Sequence, residues 1–155
     1  MRDRIEAEVS AGGDLPYLSA VVKETFRLHP PVWLLLRDVL RPTRLGEWAF
    51  TPGDRLMICL RLLHSDPRWW AEPEVFNPDR WLGSRRLANP SVYLPFGTGP
   101  RACFGARLAT VQLLAGLVYL WAHTRIELDD PDDMRETYSA LLFPAQGHGR
   151  LWLRS

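Results

Sequence analysis

Residues 95–109 read PFGTGPRACFGARLA, and this stretch decides how the chain is to be understood. It sets Cys103 between a glycine-rich turn and the start of a strongly apolar run. Gly97, Gly99 and Gly105 open backbone angles that a side chain would forbid, and they let a flat ligand come close to the main chain. From Ala106 to Trp121 the sequence is almost continuously apolar, interrupted only by Arg107, Thr110, Gln112 and Gly116, which predicts a buried helix. Cys103 therefore falls just ahead of a helix N-terminus, where free N–H groups and the helix dipole favour a thiolate. Arg101 adds a fixed positive charge for an anionic group. A thiolate donor, an adjacent cation and a glycine-opened surface describe a seat for a metal cofactor.

A single cysteine is more often a small buried hydrophobe than a ligand. The spacing changes that balance, because Phe96, Gly99, Arg101, Cys103 and Gly105 spell F-x-x-G-x-R-x-C-x-G. The string is similar to the haem-binding signature of the cytochrome P450 family, which is itself the standing example of haem iron held by a cysteine thiolate. The resemblance implies haem b (heme, iron protoporphyrin IX) as cofactor and Cys103 as the metal ligand. It further implies that Arg101 holds a haem propionate by charge-assisted hydrogen bonds. Phe96 and Phe104 would pack beside the macrocycle and keep water off the sulfur. Gly97, Gly99 and Gly105 would permit the close approach. The implied fold is mainly α with a small antiparallel β component (α+β), corresponding to the C-terminal part of the family's fold. The implied reaction is oxygenation: a soft, donating thiolate leaves the opposite haem face open and favours dioxygen cleavage. One oxygen atom then enters a small organic or lipid-like substrate, with electrons from a reductase or ferredoxin.

The 155 residues suffice for one domain with a real core, and 46% hydrophobic residues with seven Trp exclude a disordered chain. Nineteen Lys and Arg against eighteen Asp and Glu give a net charge of +1, which offers no basic surplus for nucleic acid. Two cysteines are too few for a disulfide framework and suit a reducing, cytoplasmic setting. The opening MRDRIEAEVS is charged and lacks the apolar core of a signal peptide. The run from Leu108 to Trp121 is too short and interrupted for a membrane span. No repeat or linker divides residues 1–155.

Along the chain, Ile5 and Val9 predict a helix over Arg2–Val9 that Gly12 and Gly13 stop. A second helix is expected from Asp14-Leu15-Pro16, acid and proline standing where helix starts prefer them, to His29-Pro30-Pro31. Leu18, Val21, Val22, Thr25 and Phe26 fall on one side of it. Glu24 and Arg27 are one turn apart, a spacing that by itself describes a solvated pair. KETFRLHPP resembles the family's E-x-x-R helix, in which the pair is internal; a buried pair needs a third partner. The resemblance supplies Arg80, in FNPDRW, giving a Glu24–Arg27–Arg80 network that braces the Cys103 loop.

Between Val32 and Leu63, strand-like runs alternate with turns at Pro42–Glu47 and Pro52-Gly53, predicting a small sheet. Arg37 is either a propionate ligand, as the resemblance implies, or a plain strand-edge charge. Val32, Trp33 and Leu34 follow the helix where, by resemblance, the chain passes the haem, and they read equally as substrate contacts or core. Cys59 reads as core and His64 as a satisfied histidine in a capped turn. Ser65, Asp66 and Pro67 are expected to start a short helix, followed by a meander over Ala71–Leu94 that wraps the cysteine side of the haem. His123 lies in the last turn of the long helix, favouring its dipole. Thr124–Leu128 predicts a strand. Thr137–Phe143 and Leu151–Leu153 are expected to close as a hairpin around Pro144–Gly149, which in the family lines the substrate pocket.

The resemblance covers nearly all of this chain but only about the last third of a family member. The family's helix with an acid-alcohol pair for proton delivery has no counterpart here, so no catalytic residue is assigned. The expectation is weak haem retention, no turnover by the chain alone and exposed apolar surface, with a missing N-terminal part of the same domain as a further partner. Two other readings stand beside oxygenation: a haem-thiolate isomerase or dehydratase, and a catalytically inactive fragment. Cys103 as a reactive thiol lacks a histidine nearby in sequence, and no zinc pattern occurs.

Overall fold

The computed structural model describes residues 1–83, 89–130, 136–139, 141–145 and 147–154. Positions 84–88 of the expected meander, Ala140 in the expected hairpin and Gln146 in its turn lie outside the described residues. Helix α1 (Arg2–Ala11) buries Ile5 and ends at Gly12, whose φ of 69° suits only glycine well. Helix α2 (Pro16–Leu28) begins as expected, but Asp14 does not cap it. Its cap residue is Leu15, which supplies no side-chain bond. The carboxylate of Glu8 in α1 instead accepts the Tyr17 and Leu18 N–H groups at 2.7 and 2.9 Å. One anion thus satisfies two orphan donors and favours the positive end of the dipole. Tyr17, Leu18, Ala20, Val22, Glu24, Arg27 and Leu28 are buried, so α2 is enclosed on most sides. Thr25, expected on the packed side, is exposed and returns its hydroxyl to the Val21 carbonyl.

Strands β1 (Leu34–Asp38) and β4 (Arg55–Cys59) pair antiparallel, with Leu36 opposite Met57. The expected Pro42–Glu47 turn contains a strand, β2 (Thr43–Leu45), which pairs with β3 (Trp48–Phe50) across Gly46. Helix α3 is Leu60–His64, and it ends where a helix was expected to begin. Asp66 turns its carboxylate back to the Arg68 N–H and supports a turn there. Helix α4 (Ala106–His123) follows the Cys103 loop, with His123 in its last turn. Strand β5 (Thr124–Leu128) pairs with β8 (Gly149–Leu153), while β6 (Glu136–Tyr138) pairs with β7 (Leu142–Pro144). The expected closing hairpin is therefore divided. Strand β6 takes β7 as its partner, and Leu151 lies opposite Ile126, joining two apolar positions across β5 and β8.

Helices with small two-stranded antiparallel sheets make the fold α+β. Its core gathers Ile5, Tyr17 and Leu18, with Leu114, Leu117, Val118 and Trp121 of α4 packed against them. The expectation of a buried α4 is corrected: none of its residues is fully buried, and Leu108, Val111 and Tyr119 are open to solvent. A helix apolar all round needs partners on every side, and α1 and α2 cover one. No helix among the described residues is long and apolar enough to cross a membrane.

Candidate functional site

Backbone hydrogen bonds shape the loop ahead of α4. The Leu94 carbonyl accepts the Gly97 N–H at 3.0 Å, and the Phe96 carbonyl accepts the Cys103 N–H at 2.9 Å. Gly97 and Gly99 adopt φ of 72° and 70°, angles that strain other residues. Gly105, expected to share that role, has an ordinary φ of −84°. A Cβ there would lie 3.8 Å from the Cys103 Sγ, so its missing side chain keeps the space beside the sulfur open. From α2, the edge of Phe26 meets Phe96 at a centroid distance of 5.3 Å.

Cys103, Arg101, Phe96 and Gly97 border one side of a cleft of about 630 Å³. Val32, Leu35, Leu36, Arg37 and Asp38 of the β1 segment line it too, with Leu60, and the Asp38 carboxylate is taken up by Arg55 at 2.6 Å. The loop and strand thus bring an exposed thiol and two guanidinium groups onto one apolar hollow. Haem asks for a soft axial donor, cations for its carboxylates and apolar walls. The residues present fit each of these. Cys59, half-buried at the end of β4, is not among the residues lining this cleft.

Other expected site residues stand elsewhere. Trp33 donates its indole N–H to the Ser139 carbonyl at 2.8 Å and meets Tyr138 edge-on, facing β6 rather than the cleft. Leu34 pairs with Cys59 across the sheet and is absent from the cleft lining, as are Gly99, Phe104 and Gly105. Phe104 is fully solvent-exposed, because the chain turns from Cys103 into α4 with nothing packed over its ring. No cluster of three His, Cys, Asp or Glu able to hold a bare metal ion occurs among the described residues.

Behind the cleft, Glu24 and Arg27 are completely buried. The Arg27 guanidinium grips Glu24 through two bonds of 2.9 Å. Arg80 donates to the same carboxylate at 2.9 Å, joined by the Asn77 N–H and the Trp81 indole. Burial alone would raise the Glu24 pKa, but bonds from Arg27, Asn77 and Trp81 outweigh it and hold the carboxyl below its ordinary value. The remaining N–H groups tie down the meander: Arg27 reaches the Pro73 and Val75 carbonyls, and Arg80 those of Ala71 and Glu72. Arg27 also lies 5.2 Å from the Trp70 ring, a cation over an aromatic face.

Sequence reading missed the position of His64. It is wholly buried on α3, and its carbonyl accepts from Arg27 at 2.8 Å. Its Nε2 accepts the Leu94 N–H at 2.9 Å, one residue before the Cys103-bearing stretch. Tyr93 stacks obliquely on the His64 ring and donates its hydroxyl to the Lys23 carbonyl. The HSDP sequence marks a turn, but nothing local announces a partner thirty residues on.

The chain as a whole is similar to known proteins. The family model described as Cytochrome P450 matches residues 2–149. Steroid 17-alpha-hydroxylase/17,20 lyase of Ictalurus punctatus is 40% identical over 134 residues, covering 84% of this chain and 26% of that protein. Thromboxane-A synthase of Sus scrofa is 36% identical, covering 73% and 21%. A crystal structure of a cytochrome P450, CYP102L1, superposes with a TM-score of 0.86 at 26% identity, over 99% of this chain and 38% of that one. Retinoic acid bound cyanobacterial CYP120A1 shares the fold, with a TM-score of 0.87 at 23% identity and the same coverage. The chain spans only about a quarter of the length of these curated relatives.

Proposed function

The chain belongs to the cytochrome P450 family, whose cofactor is haem b, and from that premise we propose that it forms the haem-thiolate part of a monooxygenase with Cys103 as iron ligand. The observation that carries this reading is the opening of Cys103, Arg101 and Arg37 onto one apolar cleft. When bound, haem supplies dioxygen activation and transfer of one oxygen atom to an organic substrate. The protein's part is to present the Cys103 sulfur, exposed at the cleft, to the iron. Arg101 and Arg37 hold the propionates, a role that the shared cleft favours over a strand-edge charge for Arg37. Phe96 and Val32 supply apolar contact and exclude water. The substrate is a small organic or lipid-like molecule, and electrons come from a reductase or ferredoxin.

Haem titration of the purified chain tests the proposal. The reduced carbonyl complex is expected to show the thiolate-type absorption band in the wild type and to lose it in Cys103→Ala. Haem retention is expected to be weak and turnover absent, because Phe104 and much of α4 are unshielded. A full-strength band with substrate oxidation would overturn that last expectation. A band unchanged in Cys103→Ala would overturn the ligand assignment.

A further inference from the structure

His64 is buried, yet it joins three elements. Its carbonyl takes a proton donor from Arg27 of α2, its ring stands on α3, and its Nε2 takes the Leu94 N–H. Leu94 in turn accepts from Gly97, and Phe96 accepts from Cys103. A continuous path of hydrogen bonds and covalent links therefore runs from the Glu24–Arg27 pair to the thiol. We infer that His64 is a positioning residue: its Nε2 fixes the Leu94 amide and so sets the angle at which the chain enters the Cys103 loop. The inference rests on the haem-thiolate reading for its spectroscopic consequence only; the positioning itself concerns this chain's own atoms.

Three observations support it. First, an acceptor at Nε2 obliges the neutral ring to carry its hydrogen on Nδ1. Second, the ring lies against the backbone of Phe26 and Arg27, and Nε2 is the nitrogen that makes a bond of ordinary length, accepting the Leu94 N–H at 2.9 Å. Third, burial foremost keeps the imidazole neutral, its pKa pushed down to about 4, so Nε2 remains an acceptor at neutral pH. A leucine would fill the volume without the acceptor, whereas glutamine carries an amide oxygen at comparable reach.

The test begins with the wild-type chain, in which nitrogen-15 spectra should show His64 as the Nδ1–H tautomer at neutral pH. An Nε2–H tautomer would overturn the inference outright, whatever happens to any variant. Amide hydrogen exchange at Leu94 should then rise about tenfold in His64→Leu, the loss expected for one hydrogen bond, and return in His64→Gln. Unchanged exchange in His64→Leu would overturn it. In the haem-loaded chain, His64→Leu should shift the carbonyl band from the thiolate to the thiol form with haem still bound, and His64→Gln should restore it. If haem-loaded wild type gives no thiolate band, the haem reading fails while the tautomer and exchange results still decide the role of His64.

Discussion

Glu24 receives hydrogen bonds from Arg27, Arg80, Trp81 and the Asn77 amide while fully excluded from water. Removing its charge leaves the fully buried Arg27 guanidinium, and the half-buried Arg80 beside it, without their anion. Glu24→Gln is therefore expected to cost about 3–5 kcal/mol by chemical denaturation. Arg4→Ala, which breaks the exposed Arg4–Asp79 pair, should cost less than about 1 kcal/mol. Equal losses would show that the buried network is not structurally dominant. The pH dependence separates the two buried groups. His64 has a folded pKa of about 4 against an ordinary 6.5, so the unfolded chain binds its proton first and stability declines as pH falls across that interval. The charges facing it are Arg27 and Arg61, both opposing protonation, with the Tyr93 ring alongside. Glu24, depressed below the ordinary 4.5, contributes stability present above that value and lost as pH falls through its lower folded pKa. Thermal melts should thus show two acid-labile steps, of which His64→Gln abolishes the upper and spares the lower. A single step below pH 4.5 in the wild type would contradict the buried neutral histidine.

Elements were legible to the extent that their causes were local. Helices α1 and α2 follow from apolar spacing and from glycine and proline stops, and β5 from alternation. Partners distant in sequence left no such mark. The cap of α2 comes from Glu8 on another helix, although Asp14 stood at the conventional place. Glu8→Ala is expected to destabilise by about 1 kcal/mol, and Asp14→Ala to have little effect. The reverse ranking in thermal unfolding would remove Glu8 from that role. Strand pairing was the least readable feature. The last strand, β8, alternates well enough to pair with any neighbour, and β5 is its partner because it emerges directly from α4 with Ile126 opposite Leu151. Trp33 read equally as a substrate contact or as core, and its indole N–H instead finds the Ser139 carbonyl. At the site, the Cys103 loop was readable because its glycines and charge lie within ten residues. The support from His64 was not, because that contact spans thirty.

At the scale of the molecule, the contrast lies between a dense interior behind the cleft and an open surface along α4. Leu108 and Val111 are 61% and 57% exposed, whereas Leu114 and Trp121 pack on the α1–α2 core. Leu108→Lys and Val111→Lys are expected to change stability by no more than about 0.5 kcal/mol, and Leu114→Ala to cost about 2–5 kcal/mol. The lysine variants should also bind less of a hydrophobic dye. Large destabilisation by either lysine would mean that this face is packed in solution. The dense part is the part that aims Cys103, and the claim that it aims a thiolate at haem iron is the centre of the account. The most direct measurement is the absorption spectrum of the reduced, carbonyl-bound chain, taken for the wild type and for Cys103→Ala. A thiolate-type band that disappears with the sulfur is the predicted result, and a wild-type spectrum without it, or one that the substitution leaves unchanged, would contradict the account.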